Sequence, residues 1–447
     1  MLKLRDGATT RAPALLDVRD GARRASGSVD GNGAADRAIL HWTSGIRVRR
    51  VYHAGGSLGK AGSRERDYSA TEERLGLPQI LCIELAEKEA TVDVLAALRD
   101  ADAVEWVQVE PLASVPPLTR GLSVTPPDRH AAFDCVGAHQ ALRIEPGLPA
   151  IRVAVIDTGV SLEHLEFSGK LAGGYDTVDL GMGIVADGIS LVGDSLGRDF
   201  CARDETGHGS HVAGIIGALG RSMEHGVAGA CRIVPIRALA AARADGGPVF
   251  GVGGLSDIDA GIKAAVDLGA KVLNMSFGTA ADDLDGEAPP PHADSIAYAI
   301  ARGAIPVAAM GNSGRDEDFY PAALPDVIAV GSMSLTGEVS SFSTRGAHVA
   351  LCAPGEDVLS ARIEGYGLST GTSHAAPFVA GACALMAARA RRLGHDLSAG
   401  QARRALCLSA QGYGRDPDAD AGWGMLQIPA ALSAMDDLIA VPEELAT

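Results

Sequence analysis

From Ile151 onward the chain repeats one unit: a short, wholly apolar run followed by a segment whose apolar residues recur at helical spacing. The runs are Val153–Ile156, Ile233–Ile236, Val272–Met275, Ile305–Ala309 and Val327–Val330, and helical patterns such as Ile258–Leu268 and Asp294–Arg302 lie between them. A strand that is apolar without alternation must be covered on both faces, and a helix between two such strands joins parallel neighbours. The rhythm predicts an α/β fold: a doubly wound, mostly parallel sheet with helices on both faces. In such sheets the active site lies at the carboxyl ends of the strands, so the residues that end each run are the ones to read for chemistry. Aromatic residues are only 4% of a chain that is 47% hydrophobic, so this core is built from Ala, Val, Leu and Ile.

The rest of the chain divides by texture. Residues 1–37, rich in Gly, Ala, Arg and Asp without periodicity, read as a tail. Residues 38–112 read as a small α+β module, with strands at Ile46–Tyr52, Ile80–Leu85 and Val104–Val109 and a helix at Ala90–Arg99. Residues 113–127, proline-rich, read as an exposed linker, residues 128–435 as the α/β domain, and residues 436–447 as an acidic tail.

Composition narrows the function. A net charge of −17 argues against a nucleic-acid surface, which needs a basic face. No apolar run is long enough to span a membrane, and the first residues lack the apolar stretch of a secretory signal. The seven cysteines are odd in number, scattered and free of any C-x-x-C pair, which suits reduced thiols. These features predict a cytoplasmic protein, with export lacking a cleavable signal left open.

Three segments carry chemistry. Val153-Ala154-Val155-Ile156-Asp157-Thr158-Gly159 runs a strand straight into a carboxylate and a turn; alone, such an Asp also reads as the cap of a following helix. In Gly207-His208-Gly209-Ser210-His211-Val212-Ala213-Gly214, glycines flank His208 and let other backbone or a substrate approach. A lone histidine there also reads as a core residue, the reading taken for His211; the pair lacks the spacing and the Glu of a zinc helix, so no metal is assigned. In Thr370-Gly371-Thr372-Ser373-His374-Ala375-Ala376-Pro377, Ser373 opens a helix whose free N–H groups and partial positive charge favour a nearby oxyanion. Alone, Ser373 also reads as a helix cap.

Together the motifs D-T-G, H-G-x-H-V-A-G and G-T-S-x-A-x-P, in the order Asp157, His208, Ser373, resemble the subtilase family of subtilisin-like serine peptidases. The resemblance implies a serine endopeptidase acting on polypeptides. Ser373 would be the nucleophile, His208 the base and then the acid, and Asp157 the group that orients His208. Val307-Ala308-Ala309-Met310-Gly311-Asn312-Ser313-Gly314 resembles the family's oxyanion segment, with Asn312 as side-chain donor. By the same resemblance the substrate adds a strand between two edges, one at Gly251, Gly253 and Leu255, the other at Ser276, Phe277 and Gly278. Leu255 would line the pocket for the fourth residue before the cut bond, and Phe319 would shorten the pocket for the residue just before it. Residues 38–112 resemble the family's propeptide, an intramolecular inhibitor, with self-cleavage expected at Ala113–Ser114 or within Thr119–Ser123.

Two departures stand out. The family's usual calcium loop after the histidine is replaced here by Gly220-Arg221-Ser222-Met223-Glu224-His225-Gly226, where Arg221 opposes a cation, so no calcium site is expected there and no cofactor is required; the acidic loops Asp194–Asp204 and Asp282–Glu287 leave calcium open elsewhere, with solvated loops the favoured reading. The stretch between Asp157 and His208 is longer than a compact subtilase needs and reads as a surface insertion near the site.

Overall fold

The computed structural model describes residues 1–6, 28–31, 33–43, 46–55, 58, 68–85, 90–118, 130–181, 184–186, 188–284, 286, 288–412 and 416–440. Its central sheet has seven strands in the order Val349–Pro354, Ile328–Met333, Ile305–Ala309, Val272–Met275, Arg152–Asp157, Arg232–Arg237 and Tyr175–Asp176, and every pairing is parallel. Arg152–Asp157, the first of these seven strands in the chain, lies inside the sheet, and the later strands are added on both sides of it. Its carboxyl end is therefore the crevice where the winding reverses. Alternate residues of this strand serve two cores. Val153 and Val155 pack with the helices His208–Gly217 and Thr372–Arg392 on one face, while Ala154 and Ile156 pack with Leu255–Asp267 and Ala293–Ala301 on the other. Double burial is why the strand carries no polar alternation.

A second, five-stranded sheet flanks the crevice, in the order Leu112–Val115, Val249–Gly254, Ala240–Ala244, Ile189–Val192 and Ile184–Ala186, with every pairing antiparallel. The stretch between Asp157 and His208 supplies its last two strands. The insertion is thus ordered as part of this sheet, and it buttresses the strand Val249–Gly254 through Ala240–Ala244.

The amino-terminal module has a four-stranded sheet in the order Ile46–Arg50, Ile80–Leu85, Leu2–Leu4 and Val104–Val107, with the helices Ala34–Leu40 and Thr91–Arg99. Residues 1–37 are therefore not a tail throughout. Leu2 and Leu4 are fully buried inside the sheet, and Asp36, on the first of these helices, ties down the Val29 N–H at 2.7 Å. So short a strand has no periodicity to read; its pairing comes from Ile80–Leu81 and Val104–Val107, far away in sequence. Residues 7–27 lie outside the described residues. Residues 112–115 form a paired strand where a linker was expected, and 119–127 lie outside the description. At the other end, the helix Ile428–Ala440 extends through the start of the expected acidic tail, where Asp436 accepts from Arg389 Nε at 2.7 Å; residues 441–447 are not described.

The module packs into the second core of the α/β domain. Met1, Val51, Tyr52, Leu77 and Ile80 share one apolar cluster with Leu255, Ile258 and Tyr298. Beside it, Lys263 is wholly buried between Glu72 of the module at 2.6 Å and Asp267 at 2.7 Å, and His53 Nε2 reaches Asp267 at 2.9 Å. Among the described residues no helix is long and apolar enough to cross a membrane.

Candidate active site

Asp157 ends the central strand and is fully buried. His208 opens the helix His208–Gly217, behind Gly207 at φ 95°, a left-handed conformation that suits glycine. That turn aims the imidazole back at the strand end, where His208 Nδ1–H donates to Asp157 Oδ1 at 2.8 Å and lies 3.0 Å from Oδ2. The Thr158 N–H also donates to Asp157 Oδ1, at 2.7 Å, which fixes the carboxylate plane. Gly209 is required for close approach, because a Cβ there would lie 2.1 Å from the Gly159 carbonyl oxygen.

Ser373 is the second residue of the helix Thr372–Arg392, which follows Gly371 at φ 148°. Its hydroxyl donates to the Ser276 carbonyl at 3.0 Å, and the Ser276 hydroxyl donates back to the Ser373 carbonyl at 2.9 Å. His208 Nε2 is buried and has no hydrogen-bond partner. The structure therefore pairs Asp157 with His208 and holds the Ser373 hydroxyl on the Ser276 carbonyl.

Asn312 follows Gly311, at φ 97°, beyond the strand Ile305–Ala309. Its Oδ1 accepts from the Thr372 N–H at 2.9 Å and the Thr372 hydroxyl at 3.0 Å. With the carbonyl oxygen so engaged, the amide nitrogen remains as a donor beside the start of the Ser373 helix. A side chain at Gly371 would crowd it, since a Cβ there would lie 3.3 Å from Asn312 Nδ2.

Asp204 is a residue that sequence reading missed. It is buried, and its two oxygens gather the Thr158 hydroxyl at 2.9 Å, the Thr206 N–H at 2.9 Å, the Gly207 N–H at 2.9 Å, the Ser210 N–H at 2.9 Å and the Ser210 hydroxyl at 2.7 Å. One carboxylate thus ties the residue after Asp157 to the first turn that carries His208. The available signal was an Asp at the amino end of a predicted helix, a common cap that nothing local distinguishes. His374 was also passed over. It is buried, its ring centroid lies 5.5 Å from that of His208 and 4.5 Å from that of His211, and burial, helped by both neighbouring imidazoles, pushes its pKa well down. His211 is a core residue, as expected: its Nε2 donates to the Gly367 carbonyl at 3.1 Å, and burial lowers its pKa to about 3.

Both expected edges border one cleft, and that cleft holds the chain's own strand Leu112–Val115. Gly251 faces Val115 and Gly253 faces Ala113 in antiparallel register, while Ser114 bridges to Gly278 on the other side. Leu255 is buried in the same apolar cluster as Ala113 and Met1. The Phe277 side chain is buried in the core against His292, with ring centroids 5.9 Å apart, which leaves its backbone to border the cleft between Ser276 and Gly278. The Phe319 ring fills the slot between the second edge and the oxyanion segment; a Cβ on Gly278 would lie 2.3 Å from it and one on Gly311 3.1 Å. In the loop Gly220–Gly226, the Arg221 and Ser222 N–H groups donate to the protein's own Glu166 at 3.0 and 2.8 Å. Among the described residues no group of three His, Cys, Asp or Glu side chains is arranged to hold a metal.

A serine at a helix amino terminus, a buried Asp–His pair at the switch point of a parallel sheet and an adjacent side-chain amide form an arrangement suited to the chemistry of a serine hydrolase of the α/β class. Residues 149–424 match the family model of the subtilase family, Peptidase_S8. The thermophilic serine proteinase of Bacillus sp. (strain AK1) is 36% identical over 253 residues, 56% of this chain and 55% of its own length. Thermitase of Thermoactinomyces vulgaris is 33% identical over 260 residues, 57% of this chain and 81% of thermitase. Among solved structures, the prenylagaramide maturation protease PagA superposes with a TM-score of 0.52 at 28% identity, covering 67% of this chain and 98% of PagA. The chain belongs to the subtilase family and is, by class, a subtilisin-like serine endopeptidase.

Proposed function

We propose that this protein hydrolyses peptide bonds through Asp157, His208 and Ser373, with Asn312 assisting, and that its own residues 112–118 hold it latent. Once a carbonyl displaces the Ser373 hydroxyl from Ser276, His208 Nε2 is the base available to it. Ser373 Oγ attacks the scissile carbon and its proton passes to His208, whose positive form is stabilised by Asp157. The oxyanion forms between the Asn312 amide and the backbone N–H groups at the start of the Ser373 helix. His208 then protonates the leaving amine, and water repeats the sequence on the acyl-enzyme.

The observation that carries the latent reading is the register of the bound strand. Val115 pairs with Gly251, and Leu118 lies beside Gly207, the residue before His208. The chain therefore passes the triad between Val115 and Leu118. The bonds there are Val115–Pro116, Pro116–Pro117 and Pro117–Leu118, and in the first two the leaving nitrogen is a proline ring atom. That ring stands on the side His208 must reach to deliver its proton. The Ala113–Ser114 bond, a candidate for self-cleavage, lies upstream in the paired strand; Thr119–Ser123 lies outside the described residues. The apolar docking of the module favours a resident inhibitor that remains after any cut. The seven cysteines, all free thiols, favour the reducing cytoplasm. The resemblance to a protease that matures a peptide product, with the slot filled by Phe319, favours a peptide-precursor substrate with a small residue before the cut.

A fluorophosphonate probe tests the reading. Labelling of the wild type and none of Ser373→Ala is expected. The competing reading, a non-catalytic binding module, rests on the unpartnered His208 Nε2; it predicts no labelling even after residues 112–118 are displaced. Intact masses of the wild type and Ser373→Ala then report whether any cut is made by Ser373.

A further inference from the structure

Beyond Leu118 the cleft does not end. A groove of about 510 Å3 continues it, with Leu165 and Ile363 on its walls and Glu163, Arg203 and Tyr366 around them. Its two walls come from different parts of the chain and are bolted together. The Ser161 hydroxyl donates to the Ile363 carbonyl at 2.9 Å, and His164 Nε2 donates to the Gly365 carbonyl at 3.1 Å. The His164 ring also packs edge-on against Tyr366, with centroids 5.4 Å apart, and the Tyr366 hydroxyl donates to Glu166 at 3.0 Å. The groove is therefore preformed. Its apolar residues are open among the described residues, Leu165 at 67% and Ile363 at 38% exposure. Leu118 and Ile363 both border Gly207, where a Cβ would lie 3.2 Å from the one and 3.8 Å from the other, so the groove starts where the described part of the strand ends.

We propose that this groove binds the leaving-group side of a polypeptide substrate and selects a bulky apolar residue roughly two to four positions downstream of the cut bond. The proposal rests on the peptidase reading. It adds a recognition element on the side of the triad opposite to the two edges, made by the turn after Asp157 and the hairpin tip before Ser373. Chain direction names the occupant. Residues 112–118 run from the edges past His208 towards Ile363, and a substrate threaded the same way delivers its downstream residues here. Leu or Phe would be covered by Leu165 and Ile363, whereas Ala would leave them wet and Asp would face Glu163 and Glu364.

Internally quenched peptides, identical up to the cut and carrying Leu, Ala or Asp at the second, third or fourth position after it, test the proposal on the full chain carrying Val115→Asp, which frees the cleft of residues 112–118. The Leu peptide is expected to exceed the Ala peptide about tenfold in kcat/KM at one of these positions. Leu165→Ser combined with Ile363→Ser should bring that ratio to about one; both side chains are exposed, so the core is untouched. The same peptides, labelled for fluorescence anisotropy on the chain carrying both Val115→Asp and Ser373→Ala, read the groove without turnover. If peptides are cut but Leu and Ala are equal, or if the ratio survives the double variant, the groove is wrong and the peptidase reading stands. If nothing is cut yet the Leu peptide binds about tenfold more tightly and loses this in the double variant, the groove stands and the peptidase reading falls. No binding of any peptide overturns the groove.

Discussion

The Thr158 hydroxyl donates to Asp204 Oδ1 across 2.9 Å, and this contact joins the two halves of the Asp157–His208 pair. Thr158 is the neighbour of Asp157, and Asp204 caps the first turn of the His208 helix through Gly207 and Ser210. The pair geometry is thus supported by a carboxylate that makes no hydrogen bond to either member's side chain. Asp204→Asn keeps the shape but turns one acceptor oxygen into a donor facing N–H groups, at a cost of about 1–3 kcal/mol. We expect kcat to fall about 10- to 100-fold with KM changed less than about twofold. Steady-state kinetics on a fluorogenic peptide decide; an unchanged kcat with raised KM would place Asp204 in substrate binding.

Asn312→Ala should remove the oxyanion donor while leaving substrate contacts intact. Loss of such a donor lowers kcat about 10²- to 10³-fold. Because Asn312 Oδ1 also accepts from Thr372, a drop in thermal midpoint of a few degrees should accompany it. A kcat within about threefold of wild type would remove Asn312 from the chemistry.

Val115 is buried opposite Gly251, so Val115→Asp should lift residues 112–118 from the cleft. Peptidase activity and fluorophosphonate labelling should both rise, by about tenfold or more. The separate variant carrying Ala at both 116 and 117 should be cut between residues 115 and 118, visible as a new amino terminus by mass spectrometry. Equal activity of Val115→Asp and wild type would mean that the strand does not limit access.

Phe319→Gly opens the slot between Gly278 and Gly311. Larger residues just before the cut bond, Phe and Leu, should then gain in kcat/KM relative to Ala. A peptide-library profile identical to that of the wild type would sink this assignment.

The docking of the amino-terminal module should weaken in mild acid. Burial holds the His53 pKa below its usual 6.5, only partly opposed by its bond to Asp267, while Lys263 and Arg198 add to the lowering. A group that binds its proton less readily when docked contributes stability above its free pKa and loses it as pH falls. Glu72, held below the usual carboxylate range by Lys263 and by its bonds to Ser69 despite burial, loses its contribution at still lower pH. The thermal midpoint should therefore drop between about pH 7 and pH 5.5, and His53→Asn should flatten that drop. Differential scanning fluorimetry at both values checks it; an equal drop in the variant would acquit His53.

The chemistry was legible because it is local. Asp157 ends an apolar run, His208 sits between glycines, and Ser373 opens a helix; each motif encodes its own turn and its own place at the sheet edge. Gly251, Gly253 and Gly278 lie along one cleft because their backbones pair with Val115, Ala113 and Ser114, contacts that no local pattern encodes. Asp204 was overlooked because its role lies in five donors gathered from three segments.

By itself the sequence determined the α/β class and, through three short motifs, the family, consequences of hydrophobic period and short-range turn chemistry. Only the tertiary structure decided that Leu2–Leu4 is a strand within a sheet rather than part of a tail, that the stretch before His208 buttresses the strand Val249–Gly254, and that Leu112–Val115 lies in the cleft. The physical reason is common to all three. Each is a pairing between strands distant in sequence, and a strand of three or four residues carries too little pattern to name its partner; the partner is chosen by whichever open edge and apolar surface the rest of the fold leaves to be covered.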